Sequence, residues 1–239
     1  MCGIAGFIYA DRQRPVDPDT LVAMAAIQYH RGPDGFGWQA MDGVGFSHAR
    51  LSIIDLDQDR GRQPFVSADK RLMMTKNGEL YDYQRIRATL SAEGARFLTK
   101  SDSEIVMHLY PRLGLDGTLP HLRGEFAFAL FDRDEDTVHL VRDRFGIKPL
   151  YVCRDGAELA FASEVRSLLR MAGADTRGAA VVPKLGLVAH PLLRTPCSSR
   201  PAIPRPWTSS APCSPARAMS SSSKSPATSW PSGFSRITD

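Results

Sequence analysis

FAFALFD-RDEDT-VHLVRD, residues 126–143, is the stretch that decides the fold of this chain. Its two ends are rich in aromatic, aliphatic and β-branched side chains, and the charged RDEDT between them is typical of a turn. A second pair of such runs follows, LYVCR (150–154) and ELAFASE (158–164), joined through Asp155-Gly156. Two successive hairpins predict an antiparallel sheet.

Helices are predicted upstream of these hairpins. The first begins at Asp17-Pro18-Asp19, which offers an N-cap, a proline at the first helical position and an acidic first turn. A second covers residues 81–94, and a third follows Ser101 and Glu104, which have the spacing of a capping box. Helices followed by paired strands favour an α+β fold built in layers.

Two further segments are predicted to be strands. They are residues 44–55 (VGFSHARLSIID) and residues 71–81 (RLMMTKNGELY), and we expect the second to be interrupted at Asn77-Gly78. Taken alone, Asn-Gly favours a hairpin turn, for which it is the commonest signal. The same pair can also present a side-chain amide and an unobstructed backbone N–H to a ligand.

Length and composition narrow the class of protein. The chain has 239 residues and a formal net charge of +4. We find no signal-peptide pattern and no apolar run near the roughly 18 residues of a membrane span. The four cysteines, Cys2, Cys153, Cys197 and Cys213, have neither disulfide nor zinc-site spacing. We therefore expect a cytoplasmic protein with reduced thiols, no membrane partner and no metal.

The last quarter of the sequence differs in composition from the rest. Residues 183–239 hold ten of the 17 prolines, 13 serines, seven basic residues and one acidic residue. Residues 179–239 are predicted to be a low-complexity, disordered tail. It can be a basic arm for an anionic partner, a tail without a role, or an out-of-frame translation product. The unpatterned composition favours the last two, and we expect no nucleic-acid partner.

Cys2, directly after Met1, has two interpretations. Taken alone, it favours a buried structural thiol. If Met1 is removed, as a small second residue allows, Cys2 carries a thiol and a free α-amine together. Their ordinary pKa values, about 8.5 and about 7.7–8.0, are close enough for the amine to act as general base for its own thiol. Retention of Met1 would turn that amine into an amide.

Other polar residues supply what acyl transfer from an amino-acid amide needs. Asn77 and Gly78 can donate N–H groups to a tetrahedral oxyanion. Arg50 can bind an α-carboxylate through two hydrogen bonds. Asp102, near a helix start, can accept an α-ammonium group, with Glu79 as helper. Each charged residue taken singly is more often a solvated surface group.

Seven separated segments together resemble one known family. They are MCGIAGF (1–7), HRGPD (30–34), HARLSIID (48–55), NGELYD (77–82), SDSE (101–104), RGEFAFALFD (123–132) and RDRFGIKPLY (142–151). In this order they are similar to the glutaminase domain of glutamine-hydrolysing asparagine synthetases. That domain is a class II glutamine amidotransferase, an N-terminal-nucleophile hydrolase, and we expect it to cover residues 2–175.

The resemblance implies a four-layer αββα sandwich with two antiparallel sheets between helices. It implies that Cys2, exposed by loss of Met1, attacks the side-chain amide of L-glutamine. A γ-glutamyl thioester forms, ammonia leaves, and water releases glutamate. By position, the implied oxyanion hole is Asn77 and Gly78. The implied substrate-binding residues are Arg50, Leu51, Ser52, Ile53, Ile54, Glu79 and Asp102.

Other positions have implied structural roles or depart from the family. Arg31 and Asp34 are expected to organise the loops near the pocket, and Lys148 is given no catalytic role. The sequence departs from the family at Ala49, Asp82 and Lys100. Lys100 would weaken α-ammonium binding through its like charge if its side chain pointed inward.

Asparagine synthetases continue into an ATP-dependent domain with a Ser-Gly-Gly-x-Asp-Ser loop, and no such string occurs here. We therefore expect a truncated or frame-shifted glutaminase, with ATP and Mg needed only by the missing domain. Its expected partners are L-glutamine and a synthetase domain or other ammonia acceptor. The alternatives are another class II amidotransferase, against which HARLSIID argues, and a non-catalytic binding module that retains the fold.

Overall fold

The computed structural model describes residues 1–55, 61–155 and 158–170, together with two short strands at residues 180–181 and 188–191. The predicted turn at Gly156, the cysteines Cys197 and Cys213, and the rest of the predicted tail lie outside the described residues. In the described part of the chain, no helix combines the length and apolar character needed to cross a membrane.

Two antiparallel sheets form the centre of the described structure. The first contains, in spatial order, β10 (Ala180–Val181), β8 (Tyr151–Asp155), β9 (Glu158–Ala162), β1 (Gly3–Ile8), β3 (Val44–Arg50) and β2 (Gly35–Met41). The second contains β11 (Val188–Pro191), β7 (Thr137–Arg142), β6 (Gly124–Asp132), β5 (Leu72–Leu80) and β4 (Phe65–Val66). Both predicted hairpins, β6–β7 and β8–β9, are confirmed.

Helices cover the outer face of each sheet. The first sheet is covered by α1 (Pro18–Ile27) and the single turn α4 (Val165–Leu168). The second is covered by α2 (Tyr83–Ala92) and α3 (Glu104–Thr118), which continues into a 3-10 turn at Leu119–His121. A further apolar core, which includes Ile4, Phe46, Met73 and Phe131, lies between the sheets. The α+β fold class and its four-layer αββα arrangement are therefore confirmed.

The start of α1 follows the sequence prediction. The carboxylate of Asp17 accepts hydrogen bonds from the backbone N–H groups of Asp19 and Thr20, as an N-cap does. Leu21 and Met24 are fully buried against the first sheet. Local signals were sufficient here because the cap and the helix it starts are adjacent in sequence.

The start of α3 differs from the sequence prediction. Its N-cap is Ser103, which makes no side-chain capping bond. The carboxylate of Glu104 instead accepts from the backbone N–H groups of Leu98 and Thr99, at 2.7 and 2.8 Å. The predicted capping box between Ser101 and Glu104 is therefore wrong, because Glu104 is used to fasten the preceding loop.

Strand β5 also differs from the sequence prediction. It runs unbroken through Asn77 and Gly78, which pair with Ala127 and Phe126 of β6. The predicted interruption and the hairpin turn are both wrong, because the ladder to β6 continues across the pair. The predicted strand at residues 44–55, by contrast, ends at Arg50 and gives way to a loop.

Candidate active site

A pocket of about 230 Å³ opens where the ends of β1, β3 and β5 and the start of α3 come together. Its volume suits a small metabolite. All the residues predicted for the site line it: Cys2, Arg50, Leu51, Ser52, Ile53, Ile54, Asn77, Gly78, Glu79 and Asp102. The fold thus gathers four separate stretches of sequence around one cavity.

Cys2 is held at the edge of this pocket by its neighbours. Its Sγ accepts a hydrogen bond from the Leu51 N–H at 3.3 Å, and its carbonyl oxygen accepts from Arg31 Nε at 3.0 Å. Arg31 is in turn paired with Glu164 at 3.4 Å. Cys2 is a free thiol. Arg31 therefore has the loop-organising place that the sequence predicts for it.

Met1 lies over the same pocket. It is 55% exposed, and its Sδ accepts from Lys148 Nζ at 3.3 Å. Lys148, to which the sequence assigned no catalytic role, is buried in the pocket wall and also pairs with Glu125 at 3.3 Å. While Met1 is present, the nitrogen of Cys2 is an amide and cannot accept a proton.

Asn77 combines full burial with unused hydrogen-bonding capacity. Among the described residues, neither its Nδ2 nor its Oδ1 has a partner. Gly78 follows with φ of +117°, where a Cβ would lie 2.0 Å from the Glu125 carbonyl oxygen. A buried amide without an internal partner is costly, and a ligand in the pocket can satisfy it.

Arg50 and the loop after it form another wall. Arg50 is buried and donates from Nη2 to the Asp55 carbonyl oxygen. Asp34 accepts from the Ser52 N–H at 2.8 Å, and its own N–H donates to the Arg50 carbonyl. Asp34 therefore fixes the segment 51–54 against the end of β3, the organising place that the sequence predicts.

The two carboxylates predicted to receive an ammonium group have different surroundings. Glu79 is exposed, whereas Asp102 is buried. Asp102 Oδ2 accepts from Lys76 Nζ and from the Leu80 N–H, each at 2.7 Å. Lys100 is exposed and is not among the pocket residues. The cation beside Asp102 is thus Lys76, which the sequence did not single out.

His48 is a second pocket residue that the sequence did not single out. It is fully buried, and its Nε2 lies 3.3 Å from the Lys76 carbonyl oxygen, to which it can only donate. Burial lowers the pKa of His48 to about 3, so the imidazole is neutral at neutral pH. Alternate residues of a strand share a face. The position of His48 two residues before Arg50 was therefore the signal in the sequence that could have placed it at the site.

The chain is similar to proteins of known family. A family model described as a glutamine amidotransferase domain matches residues 1–187. Glutamine-hydrolyzing asparagine synthetase 2 of Bacillus subtilis (strain 168) is 41% identical over 170 residues, 70% of this chain and 22% of that protein. Amidase chry2 of Gibberella zeae is 41% identical over 180 residues, 71% of this chain and 26% of that protein. The chain spans about a quarter of these relatives' length.

A solved structure supports the fold. Glutamine phosphoribosylpyrophosphate amidotransferase from B. subtilis, complexed with ADP and GMP, aligns with a TM-score of 0.62. The alignment covers 81% of this chain and 50% of that one, at 20% identity. At this identity the likeness concerns the fold alone, which is the αββα sandwich described above.

Proposed function

Since the chain belongs to the glutamine amidotransferase domain family, we propose that it hydrolyses L-glutamine to glutamate and ammonia with Cys2 as the nucleophile. One observation carries the proposal: the Cys2 thiol lines the same small pocket as the buried amide of Asn77, which has no partner among the described residues. A nucleophile and an unused hydrogen-bond donor on one cavity are the two elements that acyl transfer requires.

The first chemical step begins after Met1 is removed. The α-amine of Cys2 takes the thiol proton, directly or through one water, and Sγ attacks the side-chain carbonyl carbon of glutamine. The C–N bond of the tetrahedral intermediate then breaks, and the amine's proton leaves with the nitrogen as ammonia. The product is a γ-glutamyl thioester on Cys2, which water converts to glutamate and the free thiol.

Asn77 and Gly78 stabilise the oxyanion in this scheme. Asn77 Nδ2 has no partner among the described residues, so a bond to the oxyanion displaces no internal one. Gly78 adds its backbone N–H at a position where no side chain can intrude. Such donors act most strongly in a pocket from which water is excluded.

The remaining pocket residues bind the amino-acid end of the substrate. Arg50 binds the α-carboxylate, and the segment Leu51, Ser52, Ile53 and Ile54 lines the wall beside it. The acidic residues that we assign to the α-ammonium end of the pocket are Glu79 and Asp102. Asp102 Oδ2 is already paired with Lys76 Nζ, at 2.7 Å.

Within a longer protein, the proposed domain at residues 2–175 supplies ammonia to another site. We assign the acceptor to a synthetase domain or other partner that amidates aspartate or a related carboxylate. ATP and Mg²⁺ would bind to that partner, and we assign them to no residue here. We place the reaction in the cytoplasm, because a thiolate nucleophile needs reducing surroundings.

The test is intact-mass measurement combined with an assay for glutamate release. We expect loss of Met1, activity in the wild type and none in Cys2→Ala. Cys153→Ala is the matched control, because Cys153 is the other cysteine among the described residues and lies in the core away from the pocket. Glutamate release by Cys2→Ala, or full activity with Met1 retained, would overturn the mechanism. Inactivity of the correctly processed, folded wild type would favour a binding module.

A further inference from the structure

We propose that Lys76 determines substrate specificity. Its ammonium group occupies the subsite beside Asp102 that would otherwise bind the α-ammonium group of glutamine. The pocket then accepts γ-carboxamides of five-carbon acids that lack an α-amine as readily as glutamine. This inference rests on the proposed hydrolysis at Cys2 and deepens it by naming the substrate class.

The backbone directs Lys76 towards α3. Leu72, Met74 and Leu80 lie on the face of β5 that packs in the core with α2 and α3. Lys76 has the same parity along the strand and therefore shares this face. Its side chain is 0% exposed. A lysine so placed needs partners inside the protein, because burying an unpaired charge is highly unfavourable.

Three acceptors surround the Lys76 ammonium group. Nζ lies 2.7 Å from Asp102 Oδ2, 3.0 Å from the Gly78 carbonyl oxygen and 3.3 Å from Ser103 Oγ. An ammonium group has three donors, so all of its donors have an acceptor within reach. The same Asp102 oxygen also accepts from the Leu80 N–H. Oδ2 of Asp102 is thus committed to groups of the protein itself, and its Oδ1 accepts from Ser103 Oγ at 3.5 Å.

A second ammonium group at this carboxylate would lie beside a like charge in a buried setting, where repulsion is stronger than in water. Glu79 is exposed, so solvent and salt screen its attraction for a ligand cation. Arg50 lines the same pocket, and in the proposed function it binds the carboxylate of the substrate. The pocket therefore recognises the carboxylate and amide ends of a substrate and gains little from an α-ammonium.

The experiment compares L-glutamine with glutaramate, the same amide acid without the α-amine. Dissociation constants are measured by calorimetry for the full chain carrying Cys2→Ala, and for Cys2→Ala with Lys76→Met. We expect the first protein to bind the two ligands within about threefold of each other. Removal of the Lys76 charge should shift the preference at least tenfold towards glutamine. With Cys2 intact, the same shift should occur in KM, with kcat changing less.

A second variant, Lys76→Gln, removes the charge and keeps a donor for Asp102, in case Lys76→Met fails to fold. The inference is overturned if the protein that retains Lys76 binds glutamine tenfold more tightly than glutaramate. This outcome can be read without any variant at Lys76. The inference is also overturned if a folded Lys76 variant shows the same ratio of the two dissociation constants as the protein with Lys76, with no gain in glutamine binding. Absence of ammonia release from both substrates with Cys2 intact defeats the proposed function instead, while the binding ratio still decides the role of Lys76.

Discussion

Two buried segments of strand β5, residues 72–74 and residues 76–77, are chemically opposite. Leu72, Met73 and Met74 pack apolar side chains into the cores on both faces of the second sheet. On the same ladder to β6, Lys76 buries an ammonium group at the pocket, and Asn77 buries an amide that has no partner in the described part of the chain. One continuous strand therefore provides both a stabilising core and a reactive wall.

The contrast has an energetic meaning. Burial of a methionine side chain stabilises the fold by about 1.5–3 kcal/mol. A buried amide without a partner costs about 1–3 kcal/mol. The polar half of β5 is unfavourable for folding, and the apolar half with its packing offsets that cost. Substitutions in the apolar half should consequently lower mainly the stability of the protein, and side-chain truncations in the polar half should lower mainly its activity.

The largest effect is expected from Gly78→Ala, which introduces a side chain into the polar half of β5 where the backbone leaves no room for one. The new Cβ would lie 2.0 Å from the Glu125 carbonyl oxygen at φ of +117°. Backbone strain and overlap together should lower the free energy of unfolding by roughly 3 kcal/mol or more and abolish activity. Urea denaturation measures the first effect. Gly94→Ala is the matched control, because φ is +92° but no atom lies within 4 Å of the new Cβ. Equal losses in the two variants would contradict the steric argument.

Asn77→Ala should reduce kcat by about 10²–10³, the usual cost of losing one oxyanion donor. The free energy of unfolding should not fall, because the amide has no partner to lose among the described residues and its burial is itself unfavourable. Thr75→Val provides the comparison, since the Thr75 hydroxyl is also buried and unpartnered on this face but does not line the pocket. Steady-state assays that find the same kcat in both variants would remove Asn77 from the mechanism.

Met74→Ala tests the apolar half. Met74 is fully buried against the helices of the second sheet, so its truncation should cost about 2–4 kcal/mol of unfolding free energy. Activity per folded molecule should stay at the wild-type level, because Met74 is not a pocket residue. A fall in kcat beyond the loss of folded protein would show that the two halves are not independent.

The smallest effect concerns His48, which contacts the polar half from β3. Its pKa is about 3 when folded and about 6.5 when unfolded, so the unfolded state binds the proton first as pH falls. Stability should therefore decrease from about pH 6.5 downwards, by at most about 2 kcal/mol at pH 5. His48→Gln should lack this part of the slope in thermal melts between pH 7 and 5. Identical slopes in the two proteins would contradict it. His139 also has a lowered pKa, but it is present in both proteins, so its contribution cancels when the two slopes are compared.

Sequence reasoning succeeded where structure depends on residues close in the chain. The β6–β7 hairpin and the Asp17 cap are local, and both are confirmed. Sequence reasoning failed where contacts between segments distant in the chain determine the local structure. Asn77-Gly78 lies inside a strand because β6, some 50 residues later, pairs across it. The strand β2 was not predicted, because its glycines obscure any apolar alternation.

The site shows the same division. Its ten predicted residues line one pocket, and they were found because the family motifs carry the information that local patterns lack. Lys76 was missed because a lysine in a strand is ordinarily solvent-exposed. Its burial depends on where the start of α3 lies relative to β5, which no short-range pattern specifies.

The position of Cys2 also has a consequence for handling the protein. It directly precedes β1, which is clamped between β3 and β9, and Ile4 is further tied to Ser163. The usual fraying of a chain end is suppressed here, so the first residues cannot swing away from the cavity. Under the proposed mechanism, a purification tag fused ahead of Cys2 would place extra residues at the pocket that Met1 lines and would keep the nitrogen of Cys2 as an amide. Affinity handles should therefore be attached elsewhere, and a tagged amino terminus would report a false absence of activity.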